Sequence, residues 1–363
     1  MIAPGLLDGA DPLTPGHVWT AWSFEPPVVL GLAAAGLIYG VGRRRLRERT
    51  RDGRAASRWE AASFWVGWAV LALALLSPIH QMGEALFSAH MVQHELLMAV
   101  AAPLLVLGRP LLPWLWALAL ESRQVAGSVT RSTPVRRSWA VLTRLDVATA
   151  LQTLVILAWH VPALFQRSVR SESVHAAMHA TFLAAALLFW WVIFHGTRAR
   201  LRYGAAVLCL FLTTVVTGGL GALLTLARYP LYPVYASTAP PWGLSPLADQ
   251  QLAGLVMWIP AGLGYLLAAL WLARAWLTES DRRVRRWESA IRSLGLLLLA
   301  WGAGALTSCG ESAEQKAQKT AEQVASWRET AALTRAARAR GAVPDAYARQ
   351  MLDAVDLELR KLR

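Results

Sequence analysis

The stretch His90-Met-Val-Gln-His-Glu-Leu-Leu-Met-Ala-Val-Ala-Ala-Pro-Leu-Leu-Val-Leu107 decides how the chain is read. It is long and apolar enough to reach across a bilayer as a helix. One helical turn takes 3.6 residues, so His90 and His94 stack on one face, about 6 Å apart along the axis, with Met98 one turn further on. Ionisable side chains in a membrane helix are costly and mark a functional site by default. The device recurs at His175 and His179, with Met178 beside them.

Working outward, 55% of the 363 residues are hydrophobic and 16% charged. Several apolar runs exceed eighteen residues, which implies an all-α, polytopic membrane helix bundle embedded in the lipid bilayer. The formal charge of +13 raises the question of nucleic acid. The answer is no nucleic acid, because the arginines gather in short segments between spans, as topology signals do. The two cysteines, Cys209 and Cys309, lie far apart and form no CxxC pair, which removes zinc-ribbon and thioredoxin-like readings.

About seven transmembrane helices are expected: 24–42, 59–79, 90–107, 146–165, 174–194, 203–226 and 249–271. Residues 1–23 form an extracytoplasmic segment in which Pro4, Pro12 and Pro15 disfavour a helix and no basic n-region occurs. Arg43, Arg44, Arg45, Arg47, Arg49, Arg51, Arg54 and Arg58 follow the first span and fix that loop in the cytoplasm. Later arginines fall after every second span, whereas the outer loops hold only Arg167, Arg170 and Arg228. The expected location is therefore the plasma (inner) membrane, multi-pass, with the N-terminus outside. Leu111–Leu120 is too short to cross and is expected at the inner interface. In the sixth span, Thr213, Thr214, Thr217, Gly218, Gly219 and Gly221 read as close helix packing.

With this topology, His80, His90, His94, His160, His175 and His179 fall at the outer ends of spans, and only His195 lies inside. An isolated interfacial histidine is ordinarily a satisfied polar residue. Two His-x-x-x-His pairs at one depth on different helices instead point to a metal site, with His90, His94, His175 and His179 as ligands. His80, His160, Met98 and Met178 are further candidates. Imidazole suits several transition metals and thioether selects soft copper(I), so copper is the expected ion. A zinc peptidase would place a Glu directly after the first His. Met91 and Ala176 stand there, so no enzyme is expected. A single b-type haem with axial histidines from the third and fifth helices is the alternative. A transporter is disfavoured, because the spans carry almost no charge beyond Glu95.

Four separated motifs resemble the polytopic CtaG-type cytochrome c oxidase assembly factors. They are His90-Met-Val-Gln-His94 with Ala102-Pro103 to Gly108, Trp159-His160-Val-Pro162, Val174-His175 through Phe182 to Trp190-Trp191, and Asp249-Gln250-Gln251 to Met257-Trp258. The resemblance covers roughly residues 20–275. It implies a seven-helix protein that supports maturation of a haem-copper oxidase, acting as a chaperone that helps deliver copper to cytochrome c oxidase subunits. The family commonly has Glu-His where this chain has Met178-His179, so the resemblance carries no carboxylate to that position.

The expected organisation is an extracytoplasmic segment (1–23), a seven-helix membrane domain (24–276), a basic linker with a short apolar segment (277–309) and a polar, Ala-rich helical tail (310–363). Arg285, Arg286 and Arg292, then the run Leu294–Leu306 and Leu306-Thr-Ser-Cys309, have the order of a lipoprotein signal. That run is also the candidate eighth hydrophobic segment.

Overall fold

The computed structural model describes residues 13–49, 57–196, 200–305 and 313–362. No strand occurs among them. Six helices are long and apolar enough to cross a membrane, or seven if one bent pair counts as a span. The chain is a multi-pass membrane protein of helical-bundle architecture. It forms two compact units, Met1–Ser280 and Asp281–Arg363.

The helices are α1 (Pro26–Arg49), α2 (Arg58–Leu76), α3 (Pro78–Ala85), α4 (Phe87–Glu95), α5 (Ala102–Leu107), α6 (Leu111–Ala117), α7 (Leu120–Arg131) and α8 (Thr133–Leu142). They continue with α9 (Leu145–Trp159), α10 (Pro162–Arg170), α11 (Glu172–His195), α12 (Arg200–Thr225), α13 (Pro246–Ala305), α14 (Ala313–Ala339) and α15 (Asp345–Lys361). A π-helical turn, Leu96–Ala101, joins α4 to α5 in one span.

That turn has an identifiable cause. Ala102 N–H bonds to the Leu97 carbonyl in the wider π register. The next bond in that register would run from residue 103 to Met98, but Pro103 has no N–H to give. The orphaned Met98 carbonyl accepts instead from Trp190 Nε1 of α11, at 2.9 Å. A proline and a tryptophan 87 positions later thus fasten the two histidine-bearing spans together.

Half of Phe87–Leu107 and half of Glu172–His195 is buried, against 22–33% of the other long spans except those of α9. These two helices form the centre of the bundle. The surrounding helices expose apolar side chains, such as Leu208, Phe211 and Val215 of α12 and Ile259, Leu263 and Leu267 of α13, as a lipid-facing surface must.

Several elements differ from the expected ones. The first helix continues to Arg49, so Arg43–Arg49 are helical; Arg43 is buried, and its Nη1 donates to the Ser57 carbonyl. The fourth span is broken. Helix α9 ends at Trp159, and Pro162 starts the separate helix α10, because a proline is favoured in a first turn and disfavoured inside a helix. At its other end α9 meets α8 at 69°. Helix α6 packs along α1, with Trp114 Nε1 donating to the Ala35 carbonyl at 3.2 Å, while Trp116 lies under the Arg123 guanidinium. Residues 15–20 form a 3-10 turn. The run from Leu294 continues α13 to Ala305, and Thr307, Ser308 and Cys309 lie outside the described residues.

In the second unit, α14 and α15 pack on each other around Ala331, Ala348 and Val355. Their connection turns at Gly341, whose φ of +64° suits a residue without a Cβ, and Arg338 Nε pairs with Asp345 Oδ1 at 2.7 Å.

Helices α12 and α13 cross where two glycines meet. A Cβ added to Gly221 would stand 2.8 Å from the Gly254 carbonyl and 3.0 Å from Trp258 Cβ, whereas one on Gly219 would meet nothing within 4 Å. Gly221→Val is therefore expected to destabilise the bundle by about 1–3 kcal/mol, the usual cost of overpacking. Gly219→Ala should leave thermal unfolding in detergent unchanged, and equal melting of the two variants would refute the close crossing.

Candidate metal centre

Five histidines converge at one end of the bundle. His80 comes from α3, His90 and His94 from α4, with His94 in its last turn, and His175 and His179 from the first two turns of α11. All five are buried. Spacing of four brings each pair together, with ring centroids 4.4 Å apart for His90 and His94 and 4.3 Å for His175 and His179. Across the helices, His90 and His175 are 5.4 Å apart, as are His94 and His179 and also His80 and His175. His90, His175 and His179 each offer a ring nitrogen within 4.8 Å of the others, and so do His80 and His175 with a carboxylate oxygen of Glu84.

Hydrogen bonds set the direction in which these rings face. The His90 Nδ1 lies 3.2 Å from the Gly83 carbonyl, which can only accept, so Nδ1 carries the proton and Nε2 keeps its lone pair. The same Gly83 oxygen accepts from Tyr235 Oη at 3.0 Å. His160, at the end of α9, repeats the pattern, with Nδ1 at 2.7 Å from the Ile156 carbonyl, and Tyr232 Oη donates to the His160 carbonyl at 2.8 Å. Burial pushes both phenols above their ordinary range, so each remains a donor at neutral pH. Gln93 Nε2 donates to the Ala74 carbonyl at 2.8 Å and faces His80 Nδ1 at 2.9 Å. His80 Nε2 then faces Glu25 Oε1 at 3.3 Å.

The nitrogens aimed inward have no such partners. Nε2 of His90, His160, His175 and His179 and both nitrogens of His94 are buried without a hydrogen bond. Buried polar atoms are nearly always satisfied, and each exception needs a reason. A cation is a sufficient one, since neutral imidazole lone pairs on several helices are the donor set that zinc, copper and iron take.

The remaining candidates stand differently. Met98 Sδ lies 4.0 Å from Gln152 Nε2, and Met178 Sδ accepts from the buried Ser168 hydroxyl at 3.4 Å, so hydrogen-bond donors face both sulfurs. His160 sits beside Phe182, 6.4 Å between centroids. His195 stacks on Trp191 at the far end of α11, and His17 is exposed near the N-terminus.

Sequence reasoning missed the residues that hold the cluster in place. Asp249, at the start of α13, is fully buried; its Oδ2 accepts from Phe87 N–H at 2.7 Å, and its Oδ1 accepts from the Ser88 N–H at 3.0 Å and the Ser88 hydroxyl. These are first-turn donors of α4, which carries no cap of its own. Glu84 was findable, since it follows His80 by four positions as His94 follows His90. Glu25 is distant in sequence, and only the fold brings it near.

The chain matches the family described as Cytochrome c oxidase caa3 assembly factor over residues 37–279, about two thirds of its length. It belongs to that family. It is 30% identical over 287 residues to an uncharacterized protein of Mycobacterium bovis and equally to one of Mycobacterium tuberculosis. An uncharacterized protein of Mycobacterium leprae is 28% identical over 283 residues. The first two alignments cover 75% of this chain and 42% of the relative, and the third 73% and 40%. The chain thus spans less than half the length of these relatives. No solved structure matches it.

Removing the Asp249 cap should loosen the start of α4. Asp249→Ala is expected to cost about 0.5–2 kcal/mol, the range for a lost N-cap, while Asp249→Asn keeps an acceptor and should cost less. Thermal melting of the purified variants measures both, and an unchanged Asp249→Ala protein would show that α4 needs no cap.

Proposed function

We propose that this assembly factor holds a copper ion among His90, His94, His175 and His179 and passes it to a cytochrome c oxidase subunit, catalysing no reaction of its own. The observation that carries the reading is the set of buried, unpartnered imidazole nitrogens drawn from α4 and α11. Bound copper would satisfy them and cross-link the two central helices. The chain's own groups do the rest. Gly83 and Tyr235 hold His90 in the tautomer that leaves Nε2 free, and Asp249 fixes the helix it stands on. The alternative is a b-type haem between α4 and α11. Five imidazole rings already crowd the space a porphyrin would need, which favours a single ion.

Arginine placement supports a plasma-membrane orientation with the histidine end outside, since α1 and α2 are joined through a basic segment at the opposite end. The loop from Tyr229 to Pro246 then offers the receiving oxidase subunit an outer surface close to the cluster.

Two measurements test this. The double variant His94→Ala/His179→Ala should lose most of the copper that the purified wild type retains, and cells carrying it should lack assembled oxidase although the protein accumulates. Normal oxidase in such cells would overturn the proposal, and a strong Soret band in the wild type would transfer it to haem. For orientation, Ser237→Cys in a background without native cysteines is expected to react with a membrane-impermeant thiol reagent on intact cells. Ser237 is exposed where Ala239 beside it is fully buried. A cysteine in the Arg43–Arg58 segment should stay protected, and the reverse pattern would invert the topology.

A further inference from the structure

The two groups of potential ligands share a residue. His175 belongs both to the buried set with His90 and His179 and to a second set with His80 and Glu84. In the second set Glu84 is exposed, whereas all members of the first are buried. The two sets therefore run from the surface inward, with His175 as their hinge.

The chemistry of the sets differs in the same direction. A hydrated divalent cation meeting the protein still holds water, and a carboxylate oxygen replaces a water ligand with little change in hardness. The buried set offers imidazole only. Glu25 and Glu172 lie near enough to act electrostatically on Glu84, so three carboxyl groups gather at the mouth, where an arriving cation favours their ionised form. His80 serves this mouth as a positioning residue. Its Nδ1 is turned to Gln93 Nε2, and its Nε2 faces Glu25 rather than open space.

We infer that Glu84 and His175 form an outer station, where a divalent copper ion exchanges its first waters for protein ligands before moving to His90 and His179. His175 stays bound throughout. The ion exchanges one ligand at a time, giving up the Glu84 carboxylate as it gains the Nε2 atoms of the buried pair, and no electron is transferred. Release runs through the same carboxylate in reverse. This inference rests on the copper reading above and adds a route to it.

Copper(II) added to the full-length, metal-free protein in micelles tests it, with uptake followed by stopped flow and the final coordination by electron paramagnetic resonance. Glu84→Gln should slow both uptake and chelator-driven release by about tenfold while leaving final occupancy and the nitrogen hyperfine pattern unchanged. Glu172→Gln removes the same charge outside the station and should slow uptake no more than about twofold, an effect that salt screens. Equal uptake rates for wild type and Glu84→Gln would overturn the station and leave the buried site standing. So would a Glu84→Gln protein that loses final affinity, because Glu84 would then be a ligand of the resting site. A wild type that takes up no copper would fail both readings, and a slowing matched by Glu172→Gln would reduce Glu84 to a distant charge.

Discussion

The arrangement depends on one buried carboxylate. Asp249 stands at the start of α13 and closes the first turn of α4, 161 and 162 positions earlier in the chain. The opening N–H groups of a helix have no partner within it, and at a dry helix end they must find one elsewhere. A carboxylate there also complements the positive end of the helix dipole. Placing that cap on a different helix sets where α4 begins, and the beginning of α4 sets where His90 and His94 point. Phe87, the first residue so held, packs its ring against Phe165, Tyr232 and Tyr235. One anchor thus brings together the start of α4, the helix α10 and the loop that carries Tyr232 and Tyr235.

A second anchor acts near the middle of the span. The π turn and Pro103 leave the Met98 carbonyl free, and Trp190 takes it. Trp190 also stacks on Tyr265 of α13, with centroids 5.7 Å apart. Three helices are therefore tied by hydrogen bonds or ring contacts both at the histidine end and in mid-bundle. In lipid the hydrophobic effect gives helices little reason to associate, so polar ties and close packing must do it. Convergence of the imidazoles follows from these ties, since spacing of four guarantees only that each pair shares a face.

Much of this was legible in the sequence, for physical reasons. Apolar runs report lipid burial directly, so the spans and the helical class followed from composition. The two His-x-x-x-His pairs were visible because a local period fixes a local face. The break after Trp159 was harder to see, since Trp-His-Val-Pro reads equally as a span's outer end and as an interruption, and neighbouring helices decide between them. Asp249 stood in plain view at the head of an apolar run, yet its partner lies in another helix and no local period connects them. Gly83 carried no signal at all, because its backbone carbonyl rather than any side chain orients His90. Long-range polar contacts of this kind escape a reading built on periodicity.

The orphaned nitrogens have a consequence for the energetics of the bundle. Each buried polar atom left unsatisfied costs about 1–3 kcal/mol, so a cluster of this kind consumes a sizeable share of an ordinary protein's stability. Apolar side chains of similar volume would pack the same space without that cost. The chain carries the cost at its two most buried spans, which the Asp249 and Trp190 ties hold. A ligand that satisfies the nitrogens binds the folded bundle and has far less to bind in an unfolded one, so it stabilises the fold by linkage. For the copper carriage proposed above, the cluster would cost stability without the ion and add stability with it, the balance such a role requires. A site too comfortable without its ion would bind weakly, and one that collapsed without it could not return for another.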